Sequence, residues 1–284
     1  MPEMESMRRT SPGKALKPLI LLLLLLWTLF PIYWMFSLSI REGGELFGVL
    51  SLVPKSFSLE HFRELFKARS FGDAMTNSLI ITCIALAISL VFGLTCSYIL
   101  SRARFRFRMK GAMLFWVLLL RILPPIAFAL PLYILMSDAG LLSTRVPLIL
   151  SHVLISIPFI IWFMIAFFEA LPEEVEESAS VDGASEQVLF ARIVLPQVLP
   201  GLTAVAILSF MTSWNEYLFS AIFVQSPRQF TIPLTLSTLN SEQELTQWGS
   251  VAAGGVLSLI PIALFVLFAQ NFLIAGLSGG AVKE

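Results

Sequence analysis

A few polar residues sit where this chain can least easily accommodate them. Asn215 and Glu216 fall inside an apolar stretch that begins at Ile193 and resumes through Val224. Arg121 interrupts the otherwise charge-free run Gly111–Ser137. At such depth polar groups are expensive and face a cavity or a partner. Glu216 and Arg121, opposite in sign, are expected to face the interior, where they line a path or hold helices together, through each other. Phe210, Trp214 and Tyr217 surround the Asn215–Glu216 pair, so aromatic faces lie beside directed hydrogen-bonding groups. Ser151 and His152 are adjacent, but no oxyanion loop or third member accompanies them, and His152 reads as a satisfied packing residue. The two histidines and two cysteines have no metal-ligand spacing. Cys83 and Cys96 share one apolar run and stand roughly 20 Å apart along a helix, too far for a disulfide. No G-x-x-x-x-G-K-[ST] motif occurs, since Gly13-Lys14 lacks the earlier glycine. No catalytic residue, metal site or bound cofactor is expected on this chain.

Membrane-crossing helices must position those residues. Of 284 residues, 57% are hydrophobic and 13% charged, against about 25% charged in soluble domains. The apolar residues are gathered into runs, and a crossing needs roughly 20 of them. Six spans are predicted, at 20–40, 75–100, 112–136, 146–169, 198–224 and 250–273. The fold class is therefore all-α, a polytopic membrane protein. The first run exceeds the core of a signal peptide and no small-x-small site follows it, so it reads as a retained span. Pro31, Pro124-Pro125, Pro131, Pro158 and Pro261 lie within spans. Each frees a carbonyl, which predicts bent or broken helices around a cavity or a moving part.

Net charge is zero, so bulk charge points to no nucleic acid or acidic partner. Its distribution sets an orientation. Arg8, Arg9, Lys14 and Lys17 precede the first span, and Arg102, Arg104, Arg106, Arg108 and Lys110 fill the short loop after the second. Short basic loops stay in the cytoplasm, which puts both termini there and residues 41–73 outside. Within that outer segment, Ser58 to Ala68 reads as a short helix capped by Ser58. Leu59, Phe62, Leu65 and Phe66 form its apolar stripe, with His61 on the solvated side.

Residues 172–196 form a polar, acidic segment between long apolar runs. Pro172 suits the first position of a helix. Glu173, Glu174, Glu176 and Glu177 crowd its first turns, where acids favour the helix dipole. Gly183 supplies the turn in a left-handed backbone, and Asp182 is placed to cap the second helix. That helix runs from Ser185 toward Leu195, and Pro196 re-enters the membrane. Val175, Ala179, Ala184, Val188 and Leu189 are available for docking.

This segment resembles the EAA loop of bacterial ABC-importer permeases, E-A-A-x-x-D-G-A followed by an apolar stretch ending in L-P. Glu177, Ala179, Asp182, Gly183, Ala184, Phe190, Ile193, Leu195 and Pro196 fall in step, with Ser178 replacing an alanine. Trp214-Asn215-Glu216-Tyr217 resembles the W-N-E-[FY] signature of the carbohydrate-uptake, maltose-transporter-like branch. The ending Gly276-Leu-Ser-Gly-Gly280-Ala-Val-Lys283 resembles that branch's G-L-T-x-G-A-V-K-G tail.

The resemblance implies an ATP-driven, binding-protein-dependent importer of a di- or oligosaccharide, working by alternating access in the cytoplasmic (inner) membrane. It implies four kinds of partner: a second homologous permease, two ATP-binding subunits carrying ATP and magnesium, an external sugar-binding protein and the lipid bilayer. The loop residues Glu177, Ala179, Asp182, Gly183, Ala184, Phe190, Leu195 and Pro196 would couple to the ATPase. Phe210, Trp214, Asn215, Glu216 and Tyr217 would line the solute path, and Gly276, Gly280 and Lys283 would reach the ATPase from the tail. The implied layout is a cytoplasmic segment 1–17, a permease domain 18–273 holding the 172–196 loop, and a flexible tail 274–284. A polyol or glycerol-phosphate permease is the nearest alternative. An ion-coupled secondary transporter would need an internal repeat and more intramembrane carboxylates than Glu216.

Overall fold

The structure is a computed structural model that describes residues 12–46, 48–49, 51–102, 109–241 and 247–280. Four helices are long and apolar enough to cross a bilayer, and two further helix pairs qualify as bent spans. The six predicted crossings are accounted for in this way. Two compact units emerge, residues up to Leu65 with Leu239–Leu257, and Phe66–Thr238 with Ser258 onward.

In the first unit, α1 (Pro12–Ser39) is apolar all round and exposes Leu21, Trp27 and Phe30, the pattern of a helix solvated by lipid. Pro31 lies inside it without ending it. The chain after α1 is organised by Arg41, which is fully buried. Its guanidinium donates to the Glu45 carboxylate (2.5 Å), the Ser37 hydroxyl (2.8 Å) and the Ser51 carbonyl (2.6 Å). Helix α2 (Glu60–Ala68) starts where the Ser58 hydroxyl accepts the Glu60 N–H (3.1 Å), the expected cap. Its orientation differs from the expectation. His61 and Leu65 are buried while Leu59 and Phe66 are exposed. His61 packs on Gly249, with its Nδ1 3.4 Å from the Ser250 hydroxyl, which donates to Glu64 (3.0 Å). Glycine at 249 leaves room for a flat ring, and that recess outcompetes solvent for His61.

The second unit is built on α3 (Phe71–Ser101) and the helix it packs against most extensively, α6 (Val146–Glu169). Small residues on the buried face of α3, among them Ser89, Gly93 and Ser97, permit that close approach. A Cβ at Gly93 would lie 2.6 Å from Ile160 Cγ2. Pro158 sits inside α6 without breaking it.

The third span does break. Helices α4 (Lys110–Ile122) and α5 (Ile126–Asp138) meet at 96°. Leu123 is extended (φ −63°, ψ 133°), as a residue before proline is driven to be. Of the prolines predicted to break spans, the Pro124-Pro125 pair alone does so among the described residues.

The 172–196 segment holds α7 (Glu173–Val181) and α8 (Glu186–Gln197), the latter π-helical over Leu189–Val194. An 80° bend at Val198 leads into the fifth span, α9 (Leu199–Trp214) and α10 (Leu218–Phe223). That span is interrupted at Asn215–Tyr217, with no proline present. The Asn215 side chain donates to the Met211 carbonyl (2.8 Å), and the Glu216 carboxylate accepts the Phe219 N–H (2.9 Å) at the start of α10. The Asn215 N–H keeps its own bond to the Met211 carbonyl (3.1 Å), and the Glu216 carboxylate caps the first turn of α10. Helix α11 (Ile232–Ser241) follows. The last, α12 (Gln247–Gly280), is longer than the expected span and carries Gly276 and Gly280 in helix rather than in a flexible tail. Lys283 lies outside the described residues.

Candidate functional site

Helix α7 ends in a left-handed turn at Gly183, whose φ is +85°. The Ala184 N–H donates to the Ala179 carbonyl (3.0 Å) and the Gly183 N–H to the Ser180 carbonyl (3.1 Å). That pair of bonds satisfies carbonyls a helix end leaves orphaned. The next cap is supplied by Ser185, whose hydroxyl accepts the Val188 N–H (3.4 Å). Sequence placed that role on Asp182, which instead terminates α7 and is exposed. Pro172 stands just before the first turn, and Glu173, Glu174 and Glu176 fill it.

The four acids of α7 diverge in orientation. Glu173, Glu174 and Glu177 are exposed, whereas Glu176 is 3% exposed. Its carboxylate accepts from the Tyr98 hydroxyl (2.8 Å) and from Arg102 Nε (2.7 Å), with Arg102 Nη2 2.5 Å away. Arg102 is itself 2% exposed and also reaches the Leu171 carbonyl (3.4 Å). The Tyr98 ring packs on Phe190 at 4.9 Å and Phe168 at 5.6 Å. A buried ion pair with an added phenol thus ties the loop to the end of α3. Nothing in the sequence distinguished Glu176 from its three neighbours except its phase. It lies three residues before Ala179, which also faces the bundle.

Leu189 and Val194 are buried in a cluster with Leu94, Tyr98, Ile160, Met164 and Phe168, and Ala179, Phe190 and Leu195 pack against it. Ala179, Phe190 and Leu195, predicted as loop contacts to a partner, therefore hold the loop to its own bundle, as does Leu189. Glu177, Asp182, Gly183 and Pro196 face outward, and Val175, Val181 and Val188 remain exposed beside them. Ala184 is half-buried.

Within the spans, the expected Arg121–Glu216 pair is not formed. Glu216 Oε2 lies 3.4 Å from His152 Nε2, and His152 Nδ1 is 2.7 Å from the Ser213 hydroxyl, which donates to Thr82 (3.2 Å). This chain of polar groups is enclosed: His152 is 2% and Ser213 4% exposed. A Ser–His–Glu order raises the question of a nucleophile, but no solute reaches a hydroxyl so deeply covered. Ser151 donates to the Leu148 carbonyl (2.9 Å) and has no part in it. His152 was legible as a packing residue; its carboxylate partner was not.

Arg121 lies over the Phe159 ring at 5.2 Å. It lines a cavity of about 550 Å³ beneath the α4–α5 elbow, together with Phe128, Phe159, Ser209, Thr212 and Asn215. Of the five residues predicted for a solute path, Asn215 alone lines this cavity. Phe210 and Trp214 are each 2% exposed and stack in the core, Phe210 on Phe265 at 4.2 Å. The Trp214 indole N–H donates to the Ser258 carbonyl (3.2 Å), which accounts for its polar end. Tyr217 is exposed and away from the cavity lining.

The architecture of bent spans with an intervening acidic helix-turn-helix defines a membrane-embedded transport subunit, and comparison with known proteins agrees. Residues 89–279 match the family described as binding-protein-dependent transport system inner membrane component, and the chain belongs to that family. It is 31% identical to the diacetylchitobiose uptake system permease protein DasC of Streptomyces coelicolor, over 98% of this chain and 100% of that one. It is also 31% identical to the trehalose transport system permease protein SugB of Mycobacterium tuberculosis, over 90% and 93%. A solved bacterial ABC transporter involved in import of the acidic polysaccharide alginate shares the fold, with a TM-score of 0.76 at 20% identity, over 95% of this chain and 99% of that one.

Proposed function

We propose that this chain is the permease subunit of an ATP-driven importer that carries a di- or oligosaccharide across the cytoplasmic membrane. The observation that carries the reading is the 172–196 loop. It is a two-helix element locked to the end of α3 through Glu176, Arg102 and Tyr98, with its other acids facing outward. An element so fixed passes a push on its outer face into the spans with little slack. The relatives named for diacetylchitobiose and trehalose support a carbohydrate as the solute.

In this reading Glu177, Asp182, Gly183 and Pro196 meet the ATP-binding subunit, while Ala179, Ala184, Phe190 and Leu195 set the loop's position. ATP and magnesium are held by two such subunits in trans, and the tail with Gly276, Gly280 and Lys283 extends toward them. A second permease completes the path and an external sugar-binding protein delivers the solute. Both termini and the 172–196 loop face the cytoplasm. Asn215 is the residue of the W-N-E-Y block that meets the solute. Phe210, Trp214 and Glu216 shape the break that presents it.

The test is reconstitution with the partner permease, ATP-binding subunits and binding protein, whose captured ligand is identified by mass spectrometry. Glu177→Lys should leave insertion and assembly of the two permeases intact and lower the ratio of stimulated to basal ATPase rate. An unchanged ratio would remove the loop from the coupling path. A captured ligand that is not a sugar would sink the carbohydrate assignment.

A further inference from the structure

The cavity beneath the α4–α5 elbow carries an uncompensated positive charge. Arg121 is the one ionisable residue among those lining it. Its contact is with the Phe159 ring at 5.2 Å, and no carboxylate pairs with it among the described residues. The acid expected to pair with it, Glu216, lies instead against His152 and the Phe219 N–H. The other polar groups are neutral: Ser156, Ser209, Thr212 and Asn215. The Ser209 hydroxyl is buried and has no hydrogen-bond partner, although Ser209 lines the cavity. The aromatic rings of Phe128 and Phe159 supply faces for a sugar ring in the same space.

We propose that this cavity is a subsite for a sugar bearing an anionic group, a carboxylate or a phosphate, with Arg121 as the residue that selects it. The proposal rests on the reading of the chain as a carbohydrate permease and names the substrate class within it. A guanidinium within a span is costly to leave facing lipid and is strongly stabilised by an oxyanion. A neutral sugar entering the cavity strips water from Arg121 and returns only hydroxyl contacts. An anionic sugar returns a charge-assisted pair, which the planar fork of arginine forms with either a carboxylate or a phosphate. Discrimination therefore comes from charge at one position, while Thr212 and Asn215 serve ring hydroxyls common to both solutes.

The experiment uses the assembled importer in lipid nanodiscs, without the external binding protein, whose own pocket would sort the sugars first. Three probes are compared by direct binding: an aldobiouronic acid, a disaccharide 6-phosphate and the neutral parent disaccharide. Wild type should bind at least one anionic probe about tenfold more tightly than the neutral parent, and raising salt should erode that preference. The arm that binds identifies carboxylate or phosphate as the group recognised. Arg121→Gln should abolish the preference, and Arg121→Lys should retain part of it. Equal binding of all three probes by wild type overturns the proposal, as does a preference that survives in Arg121→Gln. Failure of wild type to bind any probe at millimolar concentration overturns the subsite itself. In either case, a loss of ATPase stimulation in Glu177→Lys would leave the transporter reading standing, so the two failures are separable.

Discussion

Glu176 and Glu177 are adjacent and identical in chemistry, yet their substitution should be read out in different assays. Glu176 and Arg102 are 3% and 2% exposed, and the pair is completed by the Tyr98 hydroxyl. Glu176→Gln removes the negative charge and leaves Arg102 buried without a counter-ion. Breaking such a pair costs about 3–5 kcal/mol; the glutamine carbonyl still accepts one hydrogen bond, so the lower end applies, about 3 kcal/mol or about 150-fold in the docked-to-undocked ratio of the loop. Hydrogen exchange over residues 173–197 should accelerate accordingly, with little change in the α3–α6 pairing above it. Stimulated ATPase activity should fall because the loop has lost its anchor. Replacing the pair by apolar residues of similar volume, Arg102→Met with Glu176→Leu, should restore protection, since what destabilises is the orphaned charge. Glu177→Lys, on the exposed side, should leave exchange unchanged. Exchange in Glu176→Gln indistinguishable from wild type would refute the argument that this buried pair holds the loop.

At Gly183 (φ +85°) a Cβ would meet nothing within 4 Å, so the cost of Gly183→Val lies in the backbone alone. It should exceed the ~1–2 kcal/mol of an ordinary residue in that region, because valine is β-branched, whereas Gly183→Asn should be tolerated; stimulated over basal ATPase rate reads both. Gly93→Val would drive a side chain into Ile160 and should lower the thermal midpoint of the purified protein, with the coupling ratio per folded molecule unchanged. Burial raises the pKa of Glu45, but the Ser56 hydroxyl, the Lys55 and Ser56 N–H groups and Arg41 outweigh it and hold the carboxyl below its ordinary value. Its contribution is thus present above the ordinary carboxylate pKa and lost as pH falls through the depressed one; proteolysis of residues 41–59 should rise only in that acid range, and Glu45→Gln should remove the pH dependence. A topology reporter fused after Lys110 should be active only on the cytoplasmic side; a signal from the other side would reverse the proposed orientation.

The spans and the turn at Gly183 were legible because each rests on a local rule: charge-free runs must cross lipid, and a glycine after an acidic helix favours a left-handed cap. Pro124-Pro125 was expected to bend its span no more than the other prolines; the break falls there because a tandem proline removes two consecutive donors. Pro31, Pro158 and Pro261 did not break their helices; Pro158 is buried whereas Pro31 is exposed, so a single proline in a long apolar run does not by itself end a helix. What the sequence withheld was azimuth. Arg121 and Glu216 are opposite in sign within spans, but depth along a helix says nothing about direction around it, and they face different neighbours. Phe210 and Trp214 have the chemistry of a sugar platform and of a core alike, and burial alone decided between them. His61 escaped because the recess that receives it is formed by Gly249, nearly two hundred residues away.

The bent third span also constrains how the protein is made. Its two helices have 13 residues each, about 20 Å of rise apiece, so neither half crosses roughly 30 Å of hydrocarbon alone. The segment carries Arg121 besides, a residue the insertion machinery admits to a helix centre only at about 2.5–3.5 kcal/mol. Val117 of α4 is buried against Leu100 and Ile161, the latter on α6, which the ribosome delivers later. The third span thus has a weak claim on the bilayer when it first emerges and a firm one once α6 arrives. Biogenesis of this chain is then expected to be cooperative, with an early segment held in place by a later one.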